Sequence, residues 1–427
     1  MNHQEKHMKY IVMLGDGMAD RPVPALGGKT PLEAAYTPNM DFLAQNGVTG
    51  MVRTVPEGMP PGSDTANLSV MGYDPKVYYS GRSPLEAVSM GVELAPDDVA
   101  YRCNLVTLSD APELEDAEMI DYSAGEISTA EAADLIACLD AAFHADDCTL
   151  YAGISYRHCL VLRGTQTGSD CTPPHDLSGQ PVRGHLPSGR HGARLREMME
   201  RSRALLRDHP VNQARIARGL RPANACWFWG EGTRPALTPF EQLYGMRGGV
   251  ISAVDLIKGI AICAGLDSID VPGATGNIDT NFAGKGQAAL ELLQNGHDFV
   301  YIHVEAPDEC GHRGEAENKV ASIELIDREI LGCVLPALRG SGEAFSVLLM
   351  PDHPTPLSIR THTADPVPFA LYRSDTVPDA HWRAPAYTEA HAASTGLMIP
   401  AGHRMMEWLL RGQMPENSMP ENFAKSC

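Results

Sequence analysis

A chain of 427 residues, 43% hydrophobic and 21% charged, has the make-up of an ordinary soluble globular protein long enough for two domains rather than a disordered or fibrous one. Its net charge of −20 excludes broad binding to nucleic acid or to an anionic membrane, because both need a basic surface. Ten cysteines scattered without a C-x-x-C pair, in a chain too large to need disulfide staples, point to reduced thiols and a cytoplasmic location.

His3 and His7 precede the first strand and read as tail residues. The segment KYIVMLGDG reads as a buried strand ended by a Gly-Asp-Gly turn that delivers Asp16. Its apolar run, residues 10–14, is too short for a signal-peptide core or a membrane span. TPNMDFLAQNG reads as a helix with Thr37 as N-cap, Pro38 at the first position and Gly47 as the stop.

MPPGSDTANLSVMGYDP then sets Ser63 between Gly62 and Asp64, ahead of a helix starting at Asp64 or Thr65. Two readings of Ser63 stay open. As an N-cap it would satisfy a free backbone amide. As a nucleophile it would need an adjacent base or coordination to a metal ion, and the local sequence offers no histidine. The helix start would in either case aim N–H groups and a positive dipole end at a phosphate held on Ser63.

From residue 97 to 245 the text becomes polar and punctuated by Gly and Pro, which reads as a second domain inserted into the first. Within it, STAEAADLIACLDAAF predicts a helix capped by Ser128, with Glu131 completing a capping box, and HCLVLRG predicts a short strand. Residues 151–221 hold twelve Arg, no Lys and five acidic residues. Arginine without lysine suits bidentate recognition of phosphate or carboxylate, whereas the arginines of residues 194–207 read as a solvated helix face.

Returning to the core, GATGNIDTNFAGKG is glycine-rich but matches neither a phosphate-binding loop nor the dinucleotide fingerprint. DFVYIHVEAPDECGH runs a strand into Asp308 and His312, while His297 and His303 read as core or surface residues. DREILGCVLPALRG is helical. FSVLLMPDHPTP is a strand ending in Asp352 and His353, and RTHTADPVPFALY puts His362 just before another strand. The tail after Gly412 reads as frayed.

Strands interleaved with helices predict a parallel sheet covered on both faces, and such sheets bind ligands beyond the carboxyl ends of their strands. Three Asp and three His delivered there suit two divalent ions, Mn²⁺ first, with Zn²⁺, Co²⁺ or Mg²⁺ as alternatives. Two such ions about 3.5–4 Å apart can hold the attacking and leaving oxygens of a phosphoryl transfer.

The blocks GDGMAD, LGGKTPLEAAYTPNMDFLAQNG, PPGSDTANLSVMGYDP, GRSPLEA, YRCNLVT, HVEAPDECGH, PDHPTP and THTADPVPF, in unbroken order over residues 15–372, resemble the archaeal-type, cofactor-independent phosphoglycerate mutases of the alkaline phosphatase superfamily. The resemblance implies an α/β fold: a mainly parallel sheet flanked by helices, formed by residues 1–96 and 246–427, with an inserted α+β cap domain of residues 97–245. It implies one ion bound by Asp16, Ser63, Asp352 and His353 and a second bound by Asp308, His312 and His362. Ser63, activated as a metal-bound alkoxide, would take the phosphoryl group of 3-phosphoglycerate and return it to the 2-hydroxyl without a bisphosphoglycerate, while cap closure excludes water. Matching blocks nominate Arg82, Arg102, Arg157, His158, His175 and Asp176 as groups facing phosphate or carboxylate. The paired-arginine motif and core lysine of the bacterial branch have no counterpart here. ANLSVMGYDP with DYSAGEIST also resembles a subset of the family with a proposed homoserine kinase role, in which the acceptor differs and the phosphoryl chemistry does not.

Overall fold

The computed structural model describes residues 8–415. His3, His7 and the expected frayed tail from residue 416 on lie outside the described residues. The chain divides into two compact units, one made of the chain up to Tyr79 and from Leu237 onward, the other spanning Ser80–Ala236. The division falls earlier at both ends than residues 97 and 245. Ser83–Ser89 forms a helix that packs on strands of the second unit. Phe240 instead stacks on Phe299 of the first, with ring centroids 4.7 Å apart.

The first unit is built on a sheet of eight strands among the described residues. These are β1 (Met8–Gly15), β2 (Val48–Val52), β3 (Gly248–Ile251), β4 (Asp267–Ile269), β5 (Phe299–Val304), β6 (Ala344–Met350), β7 (Val367–Arg373) and β8 (Met398–Ile399). Their spatial order is β4-β3-β5-β1-β6-β7-β2-β8. Every neighbouring pair is parallel except the two that involve β7. β1 is buried along all but its first residue, the continuous apolar pattern that a strand covered on both faces requires. Ile11 and Met13 of β1 and Val300 and Ile302 of β5 pack in one core with Leu43, Ala289 and Leu335 from helices. Burial of each of the Ile, Met, Val and Leu side chains among them contributes about 1.5–3 kcal/mol. β5, β1 and β6 are adjacent and parallel, so Glu305, Asp16 and Asp352 leave the sheet at one edge. The antiparallel β7 starts at that edge, and His362 precedes it.

The helix Pro38–Asn46 has Thr37 at its N-cap position and Pro38 at its first turn, but the Thr37 side chain makes no capping bond. Asp327 caps it instead, from far along the chain: the Met40 amide donates to Asp327 Oδ1 at 2.7 Å and Asn39 Nδ2 donates to Oδ2 at 2.9 Å. Asp327 can reach because it lies in a π-helical stretch, Ile326–Leu331, between the α-helices Ala316–Leu325 and Gly332–Ser341. At the other end, a Cβ on Gly47 would come within 2.6 Å of the Leu371 and Leu43 carbonyl oxygens, so only glycine fits there.

In the second unit, Val99–Leu108 is the central strand of an antiparallel sheet, flanked by Arg157–Leu162 and Ala225–Thr233. Helices Thr129–Phe143 and Gly192–Arg207 pack around it over a separate core that includes Leu105, Leu135, Leu160, Met199 and Trp227. Ser128 caps its helix by accepting from the Glu131 amide, but the predicted box is not closed. The Glu131 carboxylate accepts from the Ser128 hydroxyl at 2.8 Å and pairs with Arg215 and Arg218. The arginines of residues 194–207 are not simply a solvated face either, since Arg194 pairs with Asp147 and Arg203 with Glu200. Among the described residues no helix is long and apolar enough to cross a membrane.

Candidate active site

Three residues converge just past β1 and β6: Asp16, Asp352 and His353, with ligand atoms all within 4.8 Å of one another and every side chain buried. In a second trio, Asp308, His312 and His362, the ligand atoms also lie within 4.8 Å of one another, with Asp308 buried and both histidines half-buried. The turn after β1 requires glycine at position 17. Gly17 sits at φ +63°, and a Cβ there would be 2.7 Å from the Asp308 backbone and 2.6 Å from Thr355 Oγ1.

Ser63 occupies the first position of the helix Ser63–Val70, so the helix starts earlier than predicted and Gly62, not Ser63, is the N-cap residue. The Ser63 hydroxyl is therefore free of capping duty. Its Oγ lies 3.1 Å from His353 Nε2, which supplies the histidine that the local sequence lacks. Asn67, one turn on, donates to Asp352 Oδ2 at 2.8 Å and accepts from the Tyr301 hydroxyl at 2.6 Å, which ties the helix to the sheet edge.

Asp352 Oδ1 accepts from the Gly17 and His353 amides at 3.2 and 2.8 Å. Asp16 is held on one side by His303, whose Nε2 lies 2.9 Å from Oδ2, while its Oδ1 is buried with no hydrogen-bond partner. Asp308 and His312 sit one turn apart on the helix Ala306–Arg313, with His312 Nε2 3.1 Å from Asp308 Oδ2 and His362 Nε2 3.4 Å from Oδ1. The two imidazole nitrogens, His312 Nε2 and His362 Nε2, are 3.0 Å apart. Thr355 joins the trios: its hydroxyl donates to Asp308 Oδ1 and lies 3.3 Å from His353 Nδ1.

The electrostatics are those of crowded anions. Burial raises the Asp16 carboxyl well above the usual range, and the charges of Asp352, Asp308 and Glu305 raise it further. Burial also pushes Asp308 up, but hydrogen bonds from His312 and His362 outweigh it and hold the carboxyl well below the usual range. His312 is raised to about 9: burial works against the cation, and the Asp308 hydrogen bond and charge more than reverse it. Burial lowers His353, and it lowers His303 to about 3, with the Lys285 charge adding to the effect on His303. An orphaned buried carboxylate oxygen, clustered acids and imidazole nitrogens crowded together are the donor set that divalent ions of mixed oxygen and nitrogen preference fit.

The nominated substrate contacts lie in the second unit. Arg82 Nε and Arg102 Nε lie 2.8 and 3.0 Å from the two oxygens of Glu86, and the Arg102 guanidinium stands 4.5 Å over the Trp229 ring. His175 packs edge-on against Trp229 and Tyr122, Tyr122 against Tyr156, and Arg157 lies over Tyr156. His158 is buried, accepts from the Gly153 amide at Nδ1, and has no partner at Nε2. Asp176 is exposed, with His175 Nε2 3.7 Å from its Oδ1. Sequence reasoning missed Glu86, Asn67, His303 and Thr355. For His303 a signal exists: the alternation in VYIHV places Tyr301 and His303 on one face of β5, so the histidine shares a face with a second polar side chain just before the strand ends.

A family model described as 2,3-bisphosphoglycerate-independent phosphoglycerate mutase matches residues 44–212. A protein of Geobacter sulfurreducens, described as a probable 2,3-bisphosphoglycerate-independent phosphoglycerate mutase, is 51% identical over 403 residues, covering 94% of this chain and 100% of that one. The 2,3-bisphosphoglycerate-independent phosphoglycerate mutase of Methanothrix thermoacetophila is 50% identical over 405 residues, 95% of this chain and 100% of the relative. Among solved structures, a protein from Pyrococcus horikoshii matches with a TM-score of 0.79 at 29% identity over 96% of this chain and 99% of that one. The cofactor-independent phosphoglycerate mutase of Thermoplasma acidophilum matches with a TM-score of 0.64 at 27% identity, over 95% and 99%.

Proposed function

Because the chain belongs to the 2,3-bisphosphoglycerate-independent phosphoglycerate mutases, we propose that it interconverts 3- and 2-phosphoglycerate through phosphorylated Ser63 beside two divalent cations. The homoserine kinase alternative is not favoured, since relatives matched along nearly the whole chain carry the mutase description. The observation that carries the reading is Ser63 Oγ at 3.1 Å from His353 Nε2, next to the buried Asp16 and Asp352 carboxylates. Asp16, Ser63, Asp352 and His353 would hold one cation and Asp308, His312 and His362 the other, with Mn²⁺ favoured by the mixed donor set and Zn²⁺, Co²⁺ or Mg²⁺ as alternatives. Bound, the cations would supply positive charge against the oxygens of the transferring group.

The rest is done by the chain. Ser63 Oγ forms a bond to phosphorus as the 3-oxygen of the substrate leaves, and the serine proton ends on that oxygen. The 2-oxygen of glycerate then bonds to phosphorus as Ser63 Oγ leaves, and the 2-hydroxyl proton passes to Ser63 Oγ, so the serine is regenerated and nothing is consumed. The amide groups at the start of the helix Ser63–Val70 face the phosphorylated serine and favour its negative charge. Asn67 anchors the helix through the Ser63 carbonyl and Asp352, which keeps the nucleophile from drifting. In the second unit Arg82, Arg102 and Arg157, with His158 and His175, offer the planar donors that suit the phosphate and carboxylate of phosphoglycerate; the exposed Asp176 adds no donor. The test is flux from 3-phosphoglycerate to phosphoenolpyruvate in a coupled enolase assay with Mn²⁺ and without bisphosphoglycerate. Flux is expected, and none at any metal loading would reject the reading.

A further inference from the structure

We propose that His303 is a positioning residue for this reaction, holding one oxygen of Asp16 so that the other faces the cation; the role rests on the reading of Asp16 as a cation ligand. His303 lies near the end of β5 and is fully buried. Its ring nitrogens have different neighbours. Nδ1 is 3.1 Å from Ser252 Oγ, and that oxygen already accepts from the Val254 amide at 3.0 Å. The Ser252 hydrogen is thus available to Nδ1, which acts as the acceptor and leaves the ring proton on Nε2. With Asp16 ionised, Nε2–H donates to Asp16 Oδ2 at 2.9 Å. Lys285 Nζ donates to the His303 backbone carbonyl at 2.7 Å and fixes the strand end.

The Asp16 carboxylate is thereby divided between two tasks. Oδ2 takes the imidazole N–H, while Oδ1 has no hydrogen-bond partner and lies 3.6 Å from His353 Nε2. Around metal ions a carboxylate commonly orients a ligating imidazole; here a buried imidazole orients the carboxylate. The torsion that turns a carboxylate about its own axis is soft, so without the N–H Asp16 would have to be ordered at the moment the cation binds.

Direct Mn²⁺ titration, read by electron paramagnetic resonance of the free ion, tests this without turnover. The parent is expected to bind two ions. His303→Leu should weaken one of them roughly ten- to a hundredfold and leave the other unchanged. His303→Gln, whose amide can still donate to Asp16, should restore binding. Ser252→Ala, which releases the tautomer, should weaken the same single ion, and it carries the test alone if the leucine variant does not fold. Parent-like binding by His303→Leu, equal weakening of both ions, or an unaffected Ser252→Ala would overturn the proposal. Asp16→Ala separates the two levels. If it binds both ions like the parent, the ligand reading falls and the positioning role with it; if it loses one ion while His303→Leu loses none, only the positioning role falls.

Discussion

Ser63 and His353, 290 residues apart in the chain, meet with Oγ 3.1 Å from Nε2. The contact exists because the helix after Gly62 and the turn after β6 both end at one sheet edge, where Asn67 bonds Asp352. On the proposal that this hydroxyl is the nucleophile, its loss should cost chemistry and not folding.

Ser63→Ala should therefore melt within a few degrees of the parent. The cap position belongs to Gly62, so the usual loss of about 1 kcal/mol for a missing N-cap does not apply. Turnover should fall by roughly three orders of magnitude or more, because a covalent route has no substitute at this site. Steady-state kinetics and a mass measurement of the phosphorylated protein check this. A variant that retains parent turnover would mean that another group carries the phosphoryl.

Removing divalent ions should abolish activity and lower thermal stability together. An ion present at a hundred times its dissociation constant stabilises the folded form by about 2.7 kcal/mol. Melting curves with chelator and after readdition of Mn²⁺ measure it. An unchanged melting point with chelator would contradict binding by these residues.

Ion uptake should also expel protons at neutral pH. In the ion-free protein His312 is raised to about 9, with burial opposing and Asp308 prevailing, and Asp16 is raised first by burial and then by its acidic neighbours. A raised histidine stabilises the folded form fully below its ordinary value of 6.5, and that contribution is lost as pH rises through about 9. A cation competes with the same proton, so apparent Mn²⁺ affinity should climb with pH up to about 9 and then level off. Calorimetry in buffers of different ionisation enthalpy counts the protons, and His312→Gln should release fewer. An equal count would place the proton elsewhere.

Much of this was open to sequence reasoning because a strand running into an acid is a local signal. Asp16, Asp308, Asp352 and His353 each follow an apolar run closely enough for the topology to gather them. What stayed hidden depends on tertiary contact. Asp327 sits inside a helical text, and only the π-stretch turns it onto Met40. Thr355 looks like a turn residue until its hydroxyl is seen between Asp308 and His353. The helix Ser83–Ser89 reads as part of the first domain because nothing in its own residues says which sheet it will cover.

Asp327 gives a stability prediction that leaves the chemistry alone. Replacing it with alanine strips the buried Met40 amide of its acceptor and leaves Asn39 Nδ2 only the residue 327 carbonyl, and an unmet buried donor costs about 1–3 kcal/mol. Denaturant unfolding should show that loss, whereas kcat of the folded variant should stay near the parent value. A drop in kcat at unchanged stability would instead tie the π-stretch to the active site.

Arg102 tests whether the second unit reads the substrate. Burial lowers its guanidinium to about 10, with Glu86 opposing the shift, so it remains a cation at neutral pH. It is stacked on Trp229 and paired with Glu86, which leaves its planar face fixed and its remaining donors in a set direction. Lysine keeps the charge but loses the fork and the stacking. If Arg102 holds a substrate anion, Arg102→Lys should forfeit a charge-assisted hydrogen bond of about 1.5–3 kcal/mol, which raises KM for 3-phosphoglycerate roughly ten- to a hundredfold with a smaller change in kcat. Glu86→Gln should move KM in the same direction, since it loosens Arg102 without touching the substrate. Coupled assays across substrate concentration separate the two constants, and an unchanged KM in both variants would make the arginine pair a structural feature of the second unit alone.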